Sequence, residues 1–284
     1  MFDAGTPVFS SRHIAAHAAT LATTWTDGTG EPSAPTGAVS VVVTDSAGAV
    51  VLSTTATVSG SSCSVVLSAS LVPAVDWLAA VWTDAAGVTT TTAHEVTGGV
   101  YVTLAALRSL EPSLASYSDA EVLEARSVAE AECERITRQS WVRRLGRSTV
   151  ESHTCWIVLP WTPLVSLRTI ANCYGIPFVA GEFAFIQSGP NGFVHRDSGW
   201  SLGPYSVTYE HGHSAPSADI RRAVARRTAY WCRQATTPTP DQSMRMVIDG
   251  GQTIQLASAG RDRTGDDVVD AIYRSNRSEP VGIA

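Results

Sequence analysis

The sequence predicts a multidomain α+β protein. It begins with a β-sandwich, continues as a helical core with a β-rich insertion, and ends in an extended C-terminal arm. Turn residues recur roughly every 8–14 positions across residues 37–97, which is typical of an all-β domain. Helical periodicity begins after Gly98-Gly99, and Pro238 and Pro240 follow the last long helix. The chain of 284 residues, 44% of them hydrophobic, is long enough for two domains with buried cores.

Residues 1–97 are predicted to form an immunoglobulin-like β-sandwich. Short β-branched runs alternate with turns such as Asp-Ser-Ala-Gly at 45–48 and Asp-Ala-Ala-Gly at 84–87. The predicted strands cover 39–43, 49–58, 63–67, 77–82 and 88–96. Cys63 has no partner cysteine in this region, so the disulfide of an antibody domain is absent and the prediction depends on strand spacing.

Residues 98–235 are predicted to form a helical core. Thr103 is placed to cap a short helix that ends at Leu110. Ser118 and Glu121 form a capping box, after which apolar residues recur at helical spacing up to Arg138. Acids lie near the start of this second helix and arginines near its end, as the helix dipole favours.

A β-rich insertion at about 148–212 interrupts the helical core. The segment Tyr-Ser-Val-Thr-Tyr-Glu at 205–210 alternates apolar and polar residues, as a half-buried strand does. Gly-Pro-Asn-Gly at 189–192 predicts a turn between two further strands. The helical pattern returns at residues 217–234, where one stripe carries Ile220, Val224 and Trp231.

Residues 236–284 are predicted to form the C-terminal arm. A candidate hairpin flanks Gly250-Gly251, and a short helix covers 266–274. Because a helix of this length is not stable in isolation, we expect the arm to be ordered only when another surface buries it.

Composition excludes several functional classes. All 20 basic residues are arginine, so Schiff-base and P-loop lysine chemistry are excluded. The net charge is −6 and no segment has the basic excess that tight phosphate binding requires. Five scattered cysteines without a CxxC pair argue against a disulfide framework or zinc site and fit a reducing compartment. No apolar run is long enough to span a bilayer, and we expect no membrane association.

The sequence offers few candidates for catalysis. His211 and His213 flank a glycine and would form a metal site if His195 or Glu210 joined them, which makes a metal-dependent enzyme one alternative. We favour a solvated turn, since no HExxH motif or carboxylate triad accompanies the pair. No nucleophile elbow is visible, and Cys155 is interpreted as an inert thiol in an apolar strand. We therefore expect no enzyme activity, no metal and no cofactor.

The helix predicted at 217–234 carries a run of arginines beside its apolar stripe. We interpret these residues as a subunit interface: Arg221, Arg222, Arg226 and Arg227. The alternatives are a nucleic-acid contact, pairing with the acid-rich capping-box helix, and a solvated face.

Four segments together resemble the head-to-tail adaptor (connector) proteins of long-tailed, siphovirus-type bacteriophages of actinobacterial hosts. The first is Val-Thr-Gly-Gly-Val-Tyr-Val-Thr at 96–103, and the second contains Cys-Glu-Arg-Ile-Thr at 133–137. The third runs Val-Thr-Tyr-Glu-His-Gly at 207–212 into Ala-Pro-Ser-Ala-Asp-Ile-Arg-Arg-Ala at 215–223. The fourth is Asp-Val-Val-Asp-Ala-Ile-Tyr-Arg at 267–274. Their order and spacing carry the resemblance, which covers about residues 96–275.

The resemblance implies a structural virion protein with no active site. Such proteins form a ring, here expected to be a dodecamer, that docks beneath the portal and extends the DNA channel towards the tail. The implied partners are further copies of the chain, the portal protein, a tail-side stopper or tail terminator protein, and DNA passing through the lumen without sequence-specific binding. The implied location is the virion neck, after assembly in the host cytoplasm, with a role in genome ejection.

In the same family the C-terminal arm reaches the portal or a neighbouring subunit. The residues expected at that contact are Tyr273, Arg274, Arg277, Val281 and Ile283. The alternative function is a β-sandwich module that binds surface glycans and is attached to a virion or cell-surface assembly. Its candidate sugar-stacking residues are Trp25, Trp77 and Trp82.

Overall fold

The computed structural model describes residues 8–27, 29–152, 155–183, 185–236, 245–248, 252–255 and 262–278. It is a mixed α+β protein with several sheets. The chain divides into two compact units. Unit 1 comprises residues 1–99, 143–159 and 164–211, and unit 2 comprises 100–142, 160–163 and 212–284.

The strands follow the chain in this order: β1 (Ser11–Ile14), β2 (Ala19–Thr24), β3 (Ser40–Thr44), β4 (Val50–Thr55), β5 (Thr57–Ser59), β6 (Ser62–Leu67), β7 (Asp76–Thr83), β8 (Thr89–Thr97), β9 (Arg144–Ser152), β10 (Trp156–Val158), β11 (Leu164–Ala171), β12 (Ile186–Ser188), β13 (Phe193–Arg196), β14 (Gly203–His211), β15 (Arg245–Ile248) and β16 (Gln252–Gln255). The helices are α1 (Leu104–Leu110), α2 (Asp119–Thr137), α3 (Ala180–Phe183), α4 (Ala218–Thr236) and α5 (Asp267–Ser275). These bounds agree closely with the predicted strands of residues 39–96 and with the four predicted helices.

Two sheets of unit 1 enclose the N-terminal core. One has the order β1-β8-β7-β3-β4 and the other the order β2-β6-β5. Neighbouring strands are antiparallel except that β1 runs parallel to β8. Alternate residues of β3 and β6 are buried, as period-two patterning requires, and Leu21, Val41, Leu67 and Trp82 lie fully inside.

The insertion forms two further sheets in unit 1. One has the order β11-β14-β9 and the other β10-β13-β12, all antiparallel. Contacts group these sheets with the N-terminal sandwich rather than with the helices that precede and follow them in sequence. The buried carboxylate of Glu95 explains part of this grouping, because it accepts from Arg144 at 2.6 and 2.8 Å and from Arg12 at 2.9 Å.

Unit 2 is built around α2 and α4. Its core joins residues of these helices to α1 and α5, including Leu107, Cys133, Val224 and Tyr273. Arg138 adopts a left-handed conformation at φ 58° and caps α2. The short arm helix α5 packs against α4 and α2. The predicted hairpin corresponds to β15 and β16, which pair in antiparallel register.

Candidate interaction surface

The capping box of α2 fixes a group of acids at the start of that helix. Ser118 Oγ accepts from the Glu121 amide at 3.3 Å, and Glu121 Oε2 accepts from the Ser118 amide at 2.8 Å and hydroxyl at 2.7 Å. These hydrogen bonds lower the pKa of Glu121. Asp119 and Glu124 are exposed beside it, and Asp119 pairs with Arg108 at 2.7 Å. The start of α2 therefore presents carboxylates to solvent.

Helices α2 and α4 run antiparallel. The thiol of Cys232, late in α4, lies 3.9 Å from the carbonyl oxygen of Glu121, early in α2. Arg227 donates to both carboxylate oxygens of Glu132 at 2.7 and 2.9 Å. Arg227 is only 3% exposed and its guanidinium also lies 4.1 Å from the Tyr230 ring centroid. This arginine, predicted at a subunit interface, instead joins two helices of its own chain.

Arg226 is exposed but also engaged within the chain. Its Nε lies 2.5 Å from Asp266 Oδ2. Asp266 is the N-cap of α5, where Oδ1 accepts from the amides of Val268 and Val269. The Arg226 side chain thus ties α4 to the start of the arm helix.

Arg221 and Arg222 are exposed, and neither forms an ion pair with any residue that the structure describes. Because α2 and α4 are antiparallel, Arg221 and Arg222 lie near the end of α2, where Arg135 and Arg138 are also exposed. We call these four arginines the basic end of the helix pair. We call Asp119, Glu121 and Glu124 the acidic end. Each α-helix of 19 residues is about 28 Å long, so the two ends are well separated.

The outer face of α2 between these ends carries exposed apolar side chains. Leu123 is 39% exposed and Val128 is 41% exposed. Ser127 and Ala131 beside them are small and exposed. Leu123 and Val128 therefore form a small exposed apolar area on α2.

Among the predicted contact residues of the arm, Tyr273 has a different position from the one expected. Tyr273 is fully buried in the core of unit 2, where burial raises its pKa well above the ordinary value. Arg274 is exposed, and Arg277 lies 3.3 Å from Asp262. Val281 and Ile283 lie outside the described residues. The physical reason is the apolar stripe of α5, which finds α2 and α4 of the same chain and needs no partner to bury it.

The histidines considered as metal ligands are engaged separately. His213 stacks on Trp141 with ring centroids 4.5 Å apart, and burial lowers its pKa. His211 is buried at the end of β14, and His195 lies 3.4 Å from Asp197. Gly212 lies between His211 and His213 and has φ 99°. A Cβ at this position would lie 2.2 Å from the Val142 carbonyl oxygen. The backbone therefore explains the glycine between the two histidines. Within the described part of the chain, no group of three His, Cys, Asp or Glu residues is arranged to hold a metal ion.

The tryptophans considered for sugar stacking are all buried. Trp25 and Trp82 belong to the sandwich core, and Trp77 faces the Arg147 guanidinium at 5.6 Å. Cys155 is half-buried and its carbonyl oxygen accepts from the indole of Trp200. No helix among the described residues is long and apolar enough to cross a membrane.

Sequence reasoning missed Glu132 and Asp266, the two acids that neutralise Arg227 and Arg226. The available signal for Glu132 was its position in the helical pattern of α2, directly before the buried Cys133. Asp266 was identified as the start of a helix, and nothing in its local pattern points to an arginine 40 positions earlier.

No family model and no curated protein matches the chain. Among solved structures, the crystal structure of a tetra-tandem repeat in the extending region of a large adhesion protein aligns with 66% of this chain and 37% of that chain. The identity is 16% and the TM-score is 0.22. A likeness this weak carries no argument about fold or function.

Proposed function

We propose that this chain is a head-to-tail adaptor, a structural virion protein that forms a ring beneath the portal and joins the capsid to the tail. One observation carries the proposal: four exposed arginines lie beside Asp219 at one end of the α2–α4 pair, and three exposed acids, of which Asp119 pairs with Arg108, lie at the other. A surface with two different, complementary ends makes heterologous contacts between copies, and such contacts close into a ring when the rotation between subunits is suitable.

In the proposed ring, the basic end of one subunit meets the acidic end of its neighbour. Arg221 and Arg222 then find the carboxylates that they lack among the described residues of their own chain. Leu123 and Val128 add apolar area to the same contact. The dodecameric state, the portal, the tail-side stopper or terminator, the passing DNA and the location in the virion neck follow from the sequence resemblance and belong to this proposal.

We also propose that the N-terminal part of unit 1 has an immunoglobulin-like arrangement. The orders β1-β8-β7-β3-β4 and β2-β6-β5 support it, since they equal A′-G-F-C-C′ and B-E-D in the lettering of such sandwiches. The parallel pairing of β1 with β8 fits an A′ strand beside strand G. The glycan-binding alternative gains nothing from Trp25, Trp77 and Trp82, because these residues are buried.

The test is the mass of the assembled particle. We expect native mass spectrometry of the purified full chain to show a closed ring at low salt. Reversing both free arginines of the basic end, Arg221→Glu and Arg222→Glu, places carboxylates against the acidic end of the neighbour. We expect at least a ten-fold loss of ring, beyond the effect of an ordinary exposed ion pair.

Two further variants make the test specific. Adding Asp119→Arg and Glu124→Arg to the reversed chain restores opposite charges at the contact, and we expect the ring to return. Arg263→Glu changes an exposed arginine outside the helix pair and is the matched control, for which we expect normal assembly. A wild-type chain that stays monomeric with its portal present, or a reversed chain that assembles normally, would overturn the proposal.

A further inference from the structure

A chain of hydrogen bonds inside the N-terminal sandwich links β1 to the core. Trp82 Nε1 donates to Thr92 Oγ1 at 3.0 Å, and Thr92 Oγ1 lies 2.8 Å from His94 Nε2. His94 Nδ1 lies 2.7 Å from Ser11 Oγ, which lies 2.7 Å from His13 Nε2. His94 is completely buried and His13 is half-buried. This chain of hydrogen bonds crosses from β8 to β1, which is the edge strand of the five-stranded sheet.

The fixed indole donor gives this chain a direction. Thr92 accepts from Trp82 and keeps its own hydroxyl proton for donation, so we assign that proton to the bond with His94 Nε2, which then accepts. The neutral ring then carries its proton on Nδ1 and donates to Ser11, whose hydroxyl proton points to His13 Nε2. In this arrangement both imidazoles are neutral. A proton added to either Nε2 turns the hydroxyl proton of Thr92 or Ser11 out of the hydrogen-bond chain and leaves a positive charge on a ring that is buried or half-buried.

No described carboxylate faces the two rings to stabilise a positive charge. Ser11 and His13 alternate with Arg12, and Thr92 and His94 alternate with Glu95, so the Arg12–Glu95 ion pair lies on the opposite face of the sheet. Trp82 and Leu78 of β7 belong to the core cluster on this side of the sheet. The same cluster contains Cys63 of the facing sheet, a thiol whose pKa is raised by burial. The exposed His17 bonds to the Ala15 carbonyl oxygen and takes no part in the chain.

We propose that the Trp82–Thr92–His94–Ser11–His13 chain is an acid-sensitive latch that holds β1 in the sandwich and releases it when the histidines are protonated. The latch is independent of the ring proposal, because every residue in it belongs to the N-terminal part of unit 1. Release frees the edge of β8 and opens the end of the sandwich core.

The direction and size of the pH effect follow from the histidine in the core. Burial, with a smaller contribution from His13, lowers the pKa of His94 from 6.5 to about 4. When β1 is released, His94 regains its ordinary pKa. The released state therefore binds more protons than the closed state between pH 4 and pH 6.5. The latch is fully stable above pH 6.5 and weakens as the pH falls towards 4. At pH 5 the ratio of closed to released β1 is about 30-fold lower than at pH 7.5.

The experiment uses the full chain and measures amide hydrogen exchange by NMR, corrected for intrinsic rates, at pH 7.5 and pH 5. The reporters are the amides of Ser10 and Ala15, which donate to the carbonyl oxygens of Ala93 and Thr97 across the β1–β8 pair. We expect their protection to fall about 30-fold at pH 5 in the wild-type chain. Long-range imidazole spectra of the same sample give the tautomer and pKa of each histidine.

His94→Gln and His13→Gln keep polar groups in the chain but cannot titrate, and we expect each to reduce the pH effect. His13→Gln changes a half-buried residue and keeps the test valid if His94→Gln does not fold. His17→Gln is the matched control and retains the full effect. The residual pH dependence of the double variant is the part that does not come from His94 and His13. An ordinary pKa for His94, or an equal pH effect in His13→Gln and His17→Gln, would overturn the latch.

Discussion

Arg227 and Arg221 belong to one arginine run, yet their surroundings give them opposite roles. The guanidinium of Arg227 is buried between α4 and α2 and donates twice to Glu132, whereas Arg221 reaches solvent. Helical periodicity alone does not separate them, because both flank the apolar stripe of α4. The difference arises from α2, whose acids lie about 90 positions earlier in the sequence.

Arg227→Ala should be strongly destabilising. It leaves the Glu132 carboxylate without its bidentate partner in a largely buried position, and it removes the packing on Tyr230. We expect a loss of about 3 kcal/mol in the free energy of unfolding, measured by urea denaturation. Arg221→Ala on the same helix is the control and should change stability by less than about 0.5 kcal/mol. Equal effects of the two substitutions would contradict the assigned roles.

Helix boundaries in this chain were predictable where the chemistry is local. The limits of α2 follow from the Ser118 capping box and from the arginines at its end, all within 20 positions of one another. The location of α5 followed from Asp266 and its apolar stripe for the same reason. Its partners did not, because Tyr273 meets Cys133 across a large sequence separation. The strands β1 and β2 were not predicted either, since the parallel pairing of β1 with β8 has no local signal.

Asp266→Ala tests the attachment of the arm helix. It removes the N-cap of α5 and the ion pair with Arg226 together. We expect a loss of about 1–2 kcal/mol and faster amide exchange confined to α5. Asp267→Ala changes an exposed acid of the same turn and should have a smaller effect.

In the wild-type monomer α5 should be well protected, contrary to the expectation of an arm ordered only by a partner. Rapid exchange of α5 in the wild-type monomer would restore that expectation.

At the scale of the whole molecule, the β insertion is the main difference from the expected organisation. Predicted as a part of the helical core, it shares partly buried polar contacts with the N-terminal sandwich. Arg144 donates to Glu95, Arg147 to the Ser46 carbonyl oxygen and Arg168 to the Val75 carbonyl oxygen. None of these pairs is visible in a local pattern, because each joins residues at least 49 positions apart. The sandwich and the insertion therefore depend on each other.

Removal of the N-terminal sandwich tests ring assembly separately from the dependence of the insertion on the sandwich. In a chain beginning at Val100, unit 2 keeps its entire core and both charged ends of the α2–α4 pair, so we expect the ring to form. Arg144, Arg147 and Arg168 lose their contacts with Glu95, Ser46 and Val75, so we expect the strands β9, β11 and β14 to exchange their amides faster. Native mass spectrometry measures the first effect and hydrogen exchange the second. The full chain carrying Arg144→Met is the matched control, because it loses the Glu95 contact while Arg147 and Arg168 keep their contacts with the sandwich. It should show the smaller increase in exchange at β9 with the ring intact. A shortened chain that keeps its helical circular dichroism but remains monomeric would show that the sandwich contributes to the subunit contact, and the charged ends alone would then be insufficient to form the ring.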